Sequence, residues 1–211
     1  ATIKPELDFL EVPIAFDIDI DKTLSETGDD THAEQPLGGI VFQIISNDSG
    51  EVVGTITTDE SGHASTTGTW MGNGTRPEAA HGSIPYSGHG YTVHEDPATM
   101  PAGCKPAEDW TIAPEDMVDG TTLRYQVTNT LVTAQLQIVK LDADTDAPVR
   151  QEGFTFSILT ADGQPLPTDA WYPEGSYPET FTTDETGTVS LPARLRTGDY
   201  LLRETAAPAP Y

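Results

Sequence analysis

The fold of this 211-residue chain is constrained most by short segments in which polar and apolar residues alternate. Each of these segments is followed by a turn sequence. Side chains of a strand point to opposite faces in turn, so a period of two residues indicates half-buried strands. No segment of helical length shows a convincing 3.6-residue period. The strand candidates are Ile14–Leu24, Gly39–Ser46, Val52–Thr57, Tyr91–Glu95, Thr122–Val132, Ala134–Leu141, Phe154–Leu159, Thr188–Leu191 and Asp199–Glu204. The pattern predicts an all-β fold, as a sandwich or a barrel.

The same ordered set of segments occurs twice along the chain. A strand ending in Lys22 or Lys140 is followed by a Phe-containing strand, a Thr-Thr-Asp-Glu turn and a strand ending in Glu95 or Glu204. Such self-similarity indicates two copies of one module. We expect a first module at 13–132 and a second at 133–211, with a linker or the end of a preceding module at 1–12. The first continues to a further strand after its glutamate, whereas the second stops at Tyr211, so we expect it to lack its last strand.

Charge and cysteine content argue against several classes of function. Lys and Arg number 10 and Asp and Glu 34, which gives a formal net charge of -24. Such a chain repels phosphate groups, so we expect no nucleic-acid partner. No apolar segment reaches the roughly 18 residues of a membrane span, so we expect no membrane insertion. The single cysteine, Cys104, cannot form a disulfide within the chain, and a secreted domain of this kind would benefit from another staple.

Five polar residues fall on strand faces that otherwise carry apolar side chains. They are Lys22, Glu95, Asn129, Lys140 and Glu204. Burying an isolated charge costs several kcal/mol or more, so such groups pair, shift their pKa or lie at the rim. The alternative is that each lysine ends its strand and extends to water. The same parity in both modules favours buried, paired groups.

Three segments of the second module resemble a known family. Ile138–Thr145, Gly153–Phe156 and Leu201–Tyr211 are similar to the B-type repeat of collagen-binding adhesins and to the SpaA-like pilin domains of Gram-positive surface proteins. The hallmarks of that family are a first-strand lysine and a late Glu-Thr-x-Ala-Pro-x-Gly-Tyr box. Pro210 stands where the family has glycine. The first module resembles the family more loosely, because Glu95 is followed by Asp-Pro.

The resemblance implies a transthyretin-like (inverse Ig) β-sandwich for each module. It also implies a spontaneous amide bond, an isopeptide bond, from the first-strand lysine to an asparagine or aspartate on the last strand, assisted by the glutamate of the box. Carried over by position, Lys22 would be joined to Asn129 with Glu95 assisting. Lys140 and Glu204 match in the second module, where the chain ends before an acceptor occurs. A desolvated lysine is a neutral nucleophile, and a buried glutamate can move protons.

From this resemblance we expect a structural stalk or pilin-backbone segment of a cell-wall-anchored, extracellular bacterial protein. Its partners would be neighbouring modules or pilin subunits. Isopeptide formation occurs once per molecule, so we expect neither enzymatic turnover nor a cofactor. No signal peptide precedes Ala1 and no sorting motif follows Tyr211, which is expected of a mature, excised fragment and equally of a cytosolic protein.

Two other classes of function remain open from the sequence. An adhesin module would bind a host extracellular-matrix protein or glycan through its long loops, at Gly68–Gly90 or Pro165–Tyr177. A secreted carbohydrate-active enzyme would need a catalytic constellation, and none is well placed. We expect no metal site, because histidines in a Gly-rich stretch lack fixed spacing and aspartates alternating on one strand do not enclose an ion.

Overall fold

A computed structural model describes residues 13–28, 33–169 and 172–211. The predicted linker at 1–12 lies outside the described residues. The described residues form strands and two short 3₁₀ helices, Pro97–Thr99 and Pro114–Asp116, so the predicted all-β class is confirmed. They divide into two compact units. The first unit holds 13–26 and 33–130, and the second holds 27–28, 131–169 and 172–211.

The first unit is built from two sheets. Its strands are β1 (Ala15–Glu26), β2 (Gln35–Pro36), β3 (Val41–Ser46), β4 (Val52–Thr57), β5 (His63–Ser65), β6 (Ile84–Pro85), β7 (Tyr91–Glu95), β8 (Cys104–Lys105), β9 (Trp110–Ile112) and β10 (Thr122–Leu131). One sheet has the order β2-β1-β10-β8, with β5 and β6 also pairing with β1. The other has the order β4-β3-β7-β9.

The first and last strands of this unit are neighbours and run in the same direction. The backbone N–H of Asp17 donates to the carbonyl of Thr121 at 2.9 Å. Farther along, the hydroxyls of Thr23 and Thr128 are 2.9 Å apart. Residue numbers rise together in both strands, so β1 and β10 are parallel. A residue on β1 can therefore lie beside one more than a hundred positions later in the chain.

The alternating pattern of β1 correctly predicts its buried face. Phe16, Ile18 and Ile20 are fully buried, whereas Asp17 and Asp19 are only partly buried. Apolar residues of the second sheet pack against the same cluster. Its buried members include Phe42, Ile44, Tyr91, Val93 and Ile112. Lys22 continues the β1 face into this apolar layer, and its side chain is buried too.

The second unit has a smaller core and shorter sheets. Its strands are β11 (Thr133–Ala134), β12 (Gln137–Val139), β13 (Thr155–Thr160), β14 (Phe181–Thr182), β15 (Thr188–Ser190), β16 (Leu195–Arg196) and β17 (Tyr200–Ala206). β11 pairs with β16, β12 with β15, and β13 lies between β14 and β17. The buried cluster is Val149, Phe154, Phe156, Ile158, Phe181, Leu191 and Leu195.

The repeated Thr-Thr-Asp-Glu sequence forms the same turn in each unit. Asp59 Oδ1 accepts hydrogen bonds from the hydroxyl and backbone N–H of Ser61, at 2.6 and 2.9 Å. Asp184 Oδ1 accepts the same pair from Thr186, also at 2.6 and 2.9 Å. These bonds favour the ionised carboxylates and lower the pKa of both aspartates. The sequence repeat therefore corresponds to a repeated local structure.

Several segments differ from the strands predicted by pattern, and the short strands β2, β5, β6, β14 and β16 were not among the candidates. The predicted strand Ala134–Leu141 is interrupted, and its ordered parts are β11 and β12. The stretch Met100–Asp119 contains β8 and β9, which the pattern did not predict. β9 forms by pairing with β7, so tertiary contact rather than local alternation decides it. Among the described residues there is no helix of the length and apolarity needed to cross a bilayer.

Candidate functional site

Lys22, Glu95 and Asn129 come from three different strands of the first unit. Lys22 lies on β1, Asn129 on the neighbouring β10, and Glu95 at the end of β7 in the opposite sheet. On each strand the residue keeps the parity of the buried apolar side chains. The three side chains therefore point into the layer between the sheets, as the alternation predicted.

One oxygen of Glu95 contacts the nitrogen atoms of both partners. Glu95 Oε1 lies 3.3 Å from Lys22 Nζ and accepts a 2.9 Å hydrogen bond from Asn129 Nδ2. The Lys22 and Glu95 side chains are 0% and 1% exposed, and Asn129 is fully buried. Lys22 Nζ also donates to the carbonyl of Val127 at 3.3 Å. The site is thus a dry cluster in which a carboxylate lies between an amine and an amide.

Burial changes the proton affinity of the lysine. Desolvation penalises the ammonium form and lowers the pKa of Lys22 below 10.5, although the carboxylate of Glu95 acts in the opposite direction. The lowered pKa favours loss of a proton to a neighbouring acceptor. A neutral amine at this position has a free lone pair and can attack a carbonyl.

The lowered pKa of Lys22 predicts that the stability of the variant Asn129→Ala, in which Lys22 stays an amine, depends on pH. Just below pH 10.5 the unfolded chain binds more protons at Lys22 than the folded chain does, so the stability contribution grows as pH rises. We expect the free energy of unfolding, measured by urea titration, to increase as the pH rises toward 10.5, the ordinary pKa of the lysine side chain. The double variant Lys22→Met/Asn129→Ala should lack this increase, and equal slopes would contradict the assignment.

The side-chain amide of Asn129 forms hydrogen bonds through its nitrogen but not through its oxygen. Its Oδ1 atom is buried and has no hydrogen-bond partner among the described residues. A buried acceptor without a partner is unfavourable by about 1–3 kcal/mol. Rotating the amide by half a turn would bring Oδ1 onto the Glu95 carboxyl, which could then donate to it if protonated. The side-chain amide of Asn129 therefore lies where the Glu95 carboxyl group can form a hydrogen bond with either its nitrogen or its oxygen.

A segment that sequence reasoning missed covers this cluster. We call residues 100–107, between β7 and β9, the strap. Met100 Sδ lies 3.0 Å from Asn129 Nδ2, and the backbone N–H of Ala107 donates to Glu95 Oε2 at 2.9 Å. Cys104, also in the strap, interacts electrostatically with Lys22. The only signal in the sequence was an unusually long stretch after Glu95, in the place of the family's box.

The equivalent pair of the second unit is formed but not buried. Lys140 Nζ lies 2.6 Å from Glu204 Oε2, and it also lies 4.9 Å from the centre of the Phe154 ring. The Lys140 and Glu204 side chains are 26% and 34% exposed. The prediction that both side chains are buried on a core face is wrong, because no described strand covers that side of the pair.

The other candidate residues have local structural partners. Each of His81, His89 and His94 contacts an aspartate of its own, at 2.7 to 3.2 Å. The described residues contain no cluster of three or more His, Cys, Asp or Glu side chains that could hold a metal. In the loop Pro165–Tyr177, Tyr172 is buried and packs on Tyr177 with ring centres 5.5 Å apart. Residues 170 and 171 of that loop lie outside the described residues.

A model of a known protein family matches the second unit. Residues 134–211 match the family described as SpaA: Prealbumin-like fold domain. The resemblance of this part of the chain to SpaA-like pilin domains is therefore confirmed. No curated protein sequence matches the chain.

Several solved structures are similar to the chain at low sequence identity. The Bacillus anthracis TIE protein is 22% identical with a TM-score of 0.46, and the alignment covers 92% of this chain but only 28% of that one. The shaft pilin SpaA of Lactobacillus rhamnosus GG is 19% identical with a TM-score of 0.39, covering 92% and 88% of the two chains. GBS52, the minor pilin of Streptococcus agalactiae, is 14% identical with a TM-score of 0.34, covering 92% and 85%.

Proposed function

We propose that this chain is a structural stalk segment of a Gram-positive surface protein, and that its first module is locked by an isopeptide bond between Lys22 and Asn129. The family match of residues 134–211 supports the class of protein. The Lys22–Glu95–Asn129 cluster supports the bond. The protein would act extracellularly, with neighbouring modules or pilin subunits as partners.

The shared contact of Glu95 Oε1 is the observation that carries the chemistry. This single oxygen contacts the nitrogen that would attack, Lys22 Nζ, and the nitrogen that would leave, Asn129 Nδ2. A proton taken from the first can be handed to the second with little movement. A structural ion pair would need the contact to Lys22 alone.

The reaction balances without any added reagent. The ammonium of Lys22 gives a proton to the Glu95 carboxylate, which leaves a neutral amine and a carboxylic acid. The amine attacks Cγ of Asn129 and a C–N bond forms. Glu95 relays protons to Nδ2, the Cγ–Nδ2 bond breaks, and ammonia leaves. Packing holds the reacting groups together, which replaces a bimolecular encounter by an intramolecular step.

The strap would orient the Glu95 carboxyl group and keep water away from the cluster. The Ala107 N–H bond fixes one oxygen of Glu95 and leaves the other facing the two nitrogens. Met100 lies against the amide of Asn129 and helps to exclude water from it. Exclusion of water strengthens electrostatic interactions inside the site. The strap would therefore support the same chemistry that the family's box supports.

The position of the bond suits a module that bears tension. It would join the first strand of the module to the last, and these strands are parallel neighbours. Force applied along the chain would otherwise pull β1 and β10 apart by breaking hydrogen bonds between them. With the bond in place, the force passes through a covalent link and bypasses the rest of the module.

The intact mass of the folded chain tests this proposal. We expect a mass lower than the sequence mass by one molecule of ammonia, because the amide forms with loss of Nδ2. Tandem mass spectrometry of a proteolytic digest should place the link between the peptides that carry Lys22 and Asn129.

Variants define the controls for that measurement. Lys22→Ala and Glu95→Ala should each restore the full sequence mass, since one lacks the nucleophile and the other the proton carrier. Lys140→Ala, at the equivalent position of the second unit, should keep the deficit. A well-folded chain with the full sequence mass would overturn the cross-link.

A further inference from the structure

The chain neighbours of Lys22 and Asn129 contact each other on the outer face of the same sheet. Side chains alternate along a strand, so Thr23 and Thr128 point away from the layer in which Lys22 and Asn129 are buried. The two threonine hydroxyls are 2.9 Å apart. Because each threonine is joined to one of the two residues of the proposed bond, their contact reports how β1 and β10 are aligned at that level.

A carboxylate from a third segment binds both hydroxyls. Glu34 directly precedes β2, and its Oε1 accepts a hydrogen bond from the Thr128 hydroxyl at 2.7 Å and another from the Thr23 hydroxyl. In the sheet order β2-β1-β10, β1 lies between the other two strands. The Glu34 side chain therefore reaches across β1 to β10. We call Glu34, Thr23 and Thr128 the outer clamp.

The ionisation state of Glu34 suits this contact. The hydroxyls of Thr23 and Thr128 donate to the carboxylate and lower the pKa of Glu34 below 4.5. An ionised carboxylate only accepts hydrogen bonds, and one of its oxygens has two lone pairs for two donors. At neutral pH the outer clamp can therefore hold both hydroxyls at once.

The backbone of Lys22 is fixed on the side of β1 away from β10. The N–H of Leu37, which follows β2, donates to the carbonyl of Lys22 at 2.9 Å, and the N–H of Lys22 donates to the carbonyl of Gly62 at 2.7 Å. The place of Lys22 relative to Asn129 then depends on how β10 lies against β1. The outer clamp acts on that alignment.

We propose that Glu34 is a positioning residue for the reaction between Lys22 and Asn129. From the solvent-facing side of the sheet, it holds β1 and β10 in the alignment that brings Lys22 Nζ toward Cγ of Asn129. This inference rests on the proposed function and adds a residue that sets its geometry. Glu34 touches neither reacting group, and the proton transfers remain with Glu95.

Loss of the outer clamp should affect the rate of bond formation more than the stability of the module. A displacement of 1 Å between reacting groups can slow a reaction about a hundredfold. Removing Glu34 frees the two threonines while the strands stay paired, so we expect Glu34→Ala to slow bond formation about tenfold. Because Glu34 is exposed, its removal should change the unfolding midpoint in urea little.

Pulse labelling of newly made chain tests the inference. The full 211-residue chain is made in a cell-free reaction with a short pulse of isotopically labelled leucine, and samples are taken over time. Intact mass gives the fraction of labelled chain that has lost ammonia, and resistance to protease in parallel samples gives the fraction that has folded. We expect Glu34→Ala to fold as fast as the parent chain but to lose ammonia about tenfold more slowly.

Three further variants separate positioning from a general loss of hydrogen bonds. Glu34→Gln keeps an oxygen that accepts from both hydroxyls and should restore most of the parent rate. Thr128→Val should slow the reaction as Glu34→Ala does, and the double variant should be no slower than either, because both act through one contact. The matched control is Asp17→Ala. Asp17 lies on the same outer face of β1 and accepts from the Thr66 hydroxyl at 3.0 Å, but Thr66 is not on β10, so the parent rate is expected.

The outcomes distinguish this inference from the proposed function. Ammonia loss at the parent rate in Glu34→Ala, equal slowing in Asp17→Ala, or a folding delay that accounts for the whole effect would overturn the role of Glu34 while the cross-link stands. A parent chain that never loses ammonia would remove the cross-link, and the role of Glu34 with it.

Discussion

Replacing Glu95 with glutamine should lower the free energy of unfolding of the first unit by about 7–10 kcal/mol. Two losses combine in this figure. Without a carboxylate to take its proton, Lys22 would not react, and loss of a cross-link that closes a loop of about a hundred residues costs about 4–5 kcal/mol if the disulfide loop model applies. The variant also leaves an ammonium in a dry layer, and breaking a buried pair costs about 3–5 kcal/mol.

Urea unfolding of parent and variant measures this difference. The matched control is Glu204→Gln, which removes the equivalent carboxylate from a pair that is 26% and 34% exposed. Exposed ion pairs contribute only about 0–1 kcal/mol, so the control should change stability little. Equal unfolding midpoints for Glu95→Gln and the parent chain would contradict both the buried pair and the bond.

A second variant separates the two losses. Lys22→Met/Asn129→Leu removes the cross-link but leaves no charge unpaired in the core. It should lose about 4–5 kcal/mol, the part attributed to the cross-link. The difference between this variant and Glu95→Gln estimates the penalty of a buried ammonium.

Stretching single molecules should give the other large effect. In the parent chain the segment from Lys22 to Asn129 should not extend, because the proposed bond would carry the force past it. In Lys22→Met/Asn129→Leu that segment should unfold and add about 350 Å of contour length, since 129 minus 22 gives 107 residues at roughly 3.3–3.6 Å each.

The measurement is force spectroscopy with handles at the two termini. Extension from the second unit should be the same in both chains and serves as the internal reference. A parent chain that releases the full length of the first unit would show that its first and last strands are not covalently joined.

Much of the site was predictable because strands impose a strict two-residue period. Lys22, Glu95 and Asn129 each share parity with buried apolar residues, so the alternation alone assigned them to the interior. The repeat added that lysine and glutamate belong together in both modules. The resemblance to SpaA-like domains supplied the pairing of the first strand with the last.

Sequence patterns failed where burial depends on a neighbouring strand. Lys140 and Glu204 have the same parity as their counterparts, yet they are partly exposed because no described strand covers them. The position of a residue in the alternating pattern determines the face to which its side chain points. Whether water reaches that side chain depends on whether another strand or loop covers the same face. Leu202, equally well patterned, is exposed for the same reason.

Local alternation determined the all-β class, the two repeats and the inward direction of the Lys22, Glu95 and Asn129 side chains. Only the tertiary structure decided that one oxygen of Glu95 meets both nitrogens, and that Met100 and Ala107 of the strap close over them. The physical reason is the separation along the chain between the residues that determine each feature. Strand parity follows from adjacent peptide units, whereas these contacts join atoms many residues apart and depend on how the two sheets and the strap pack.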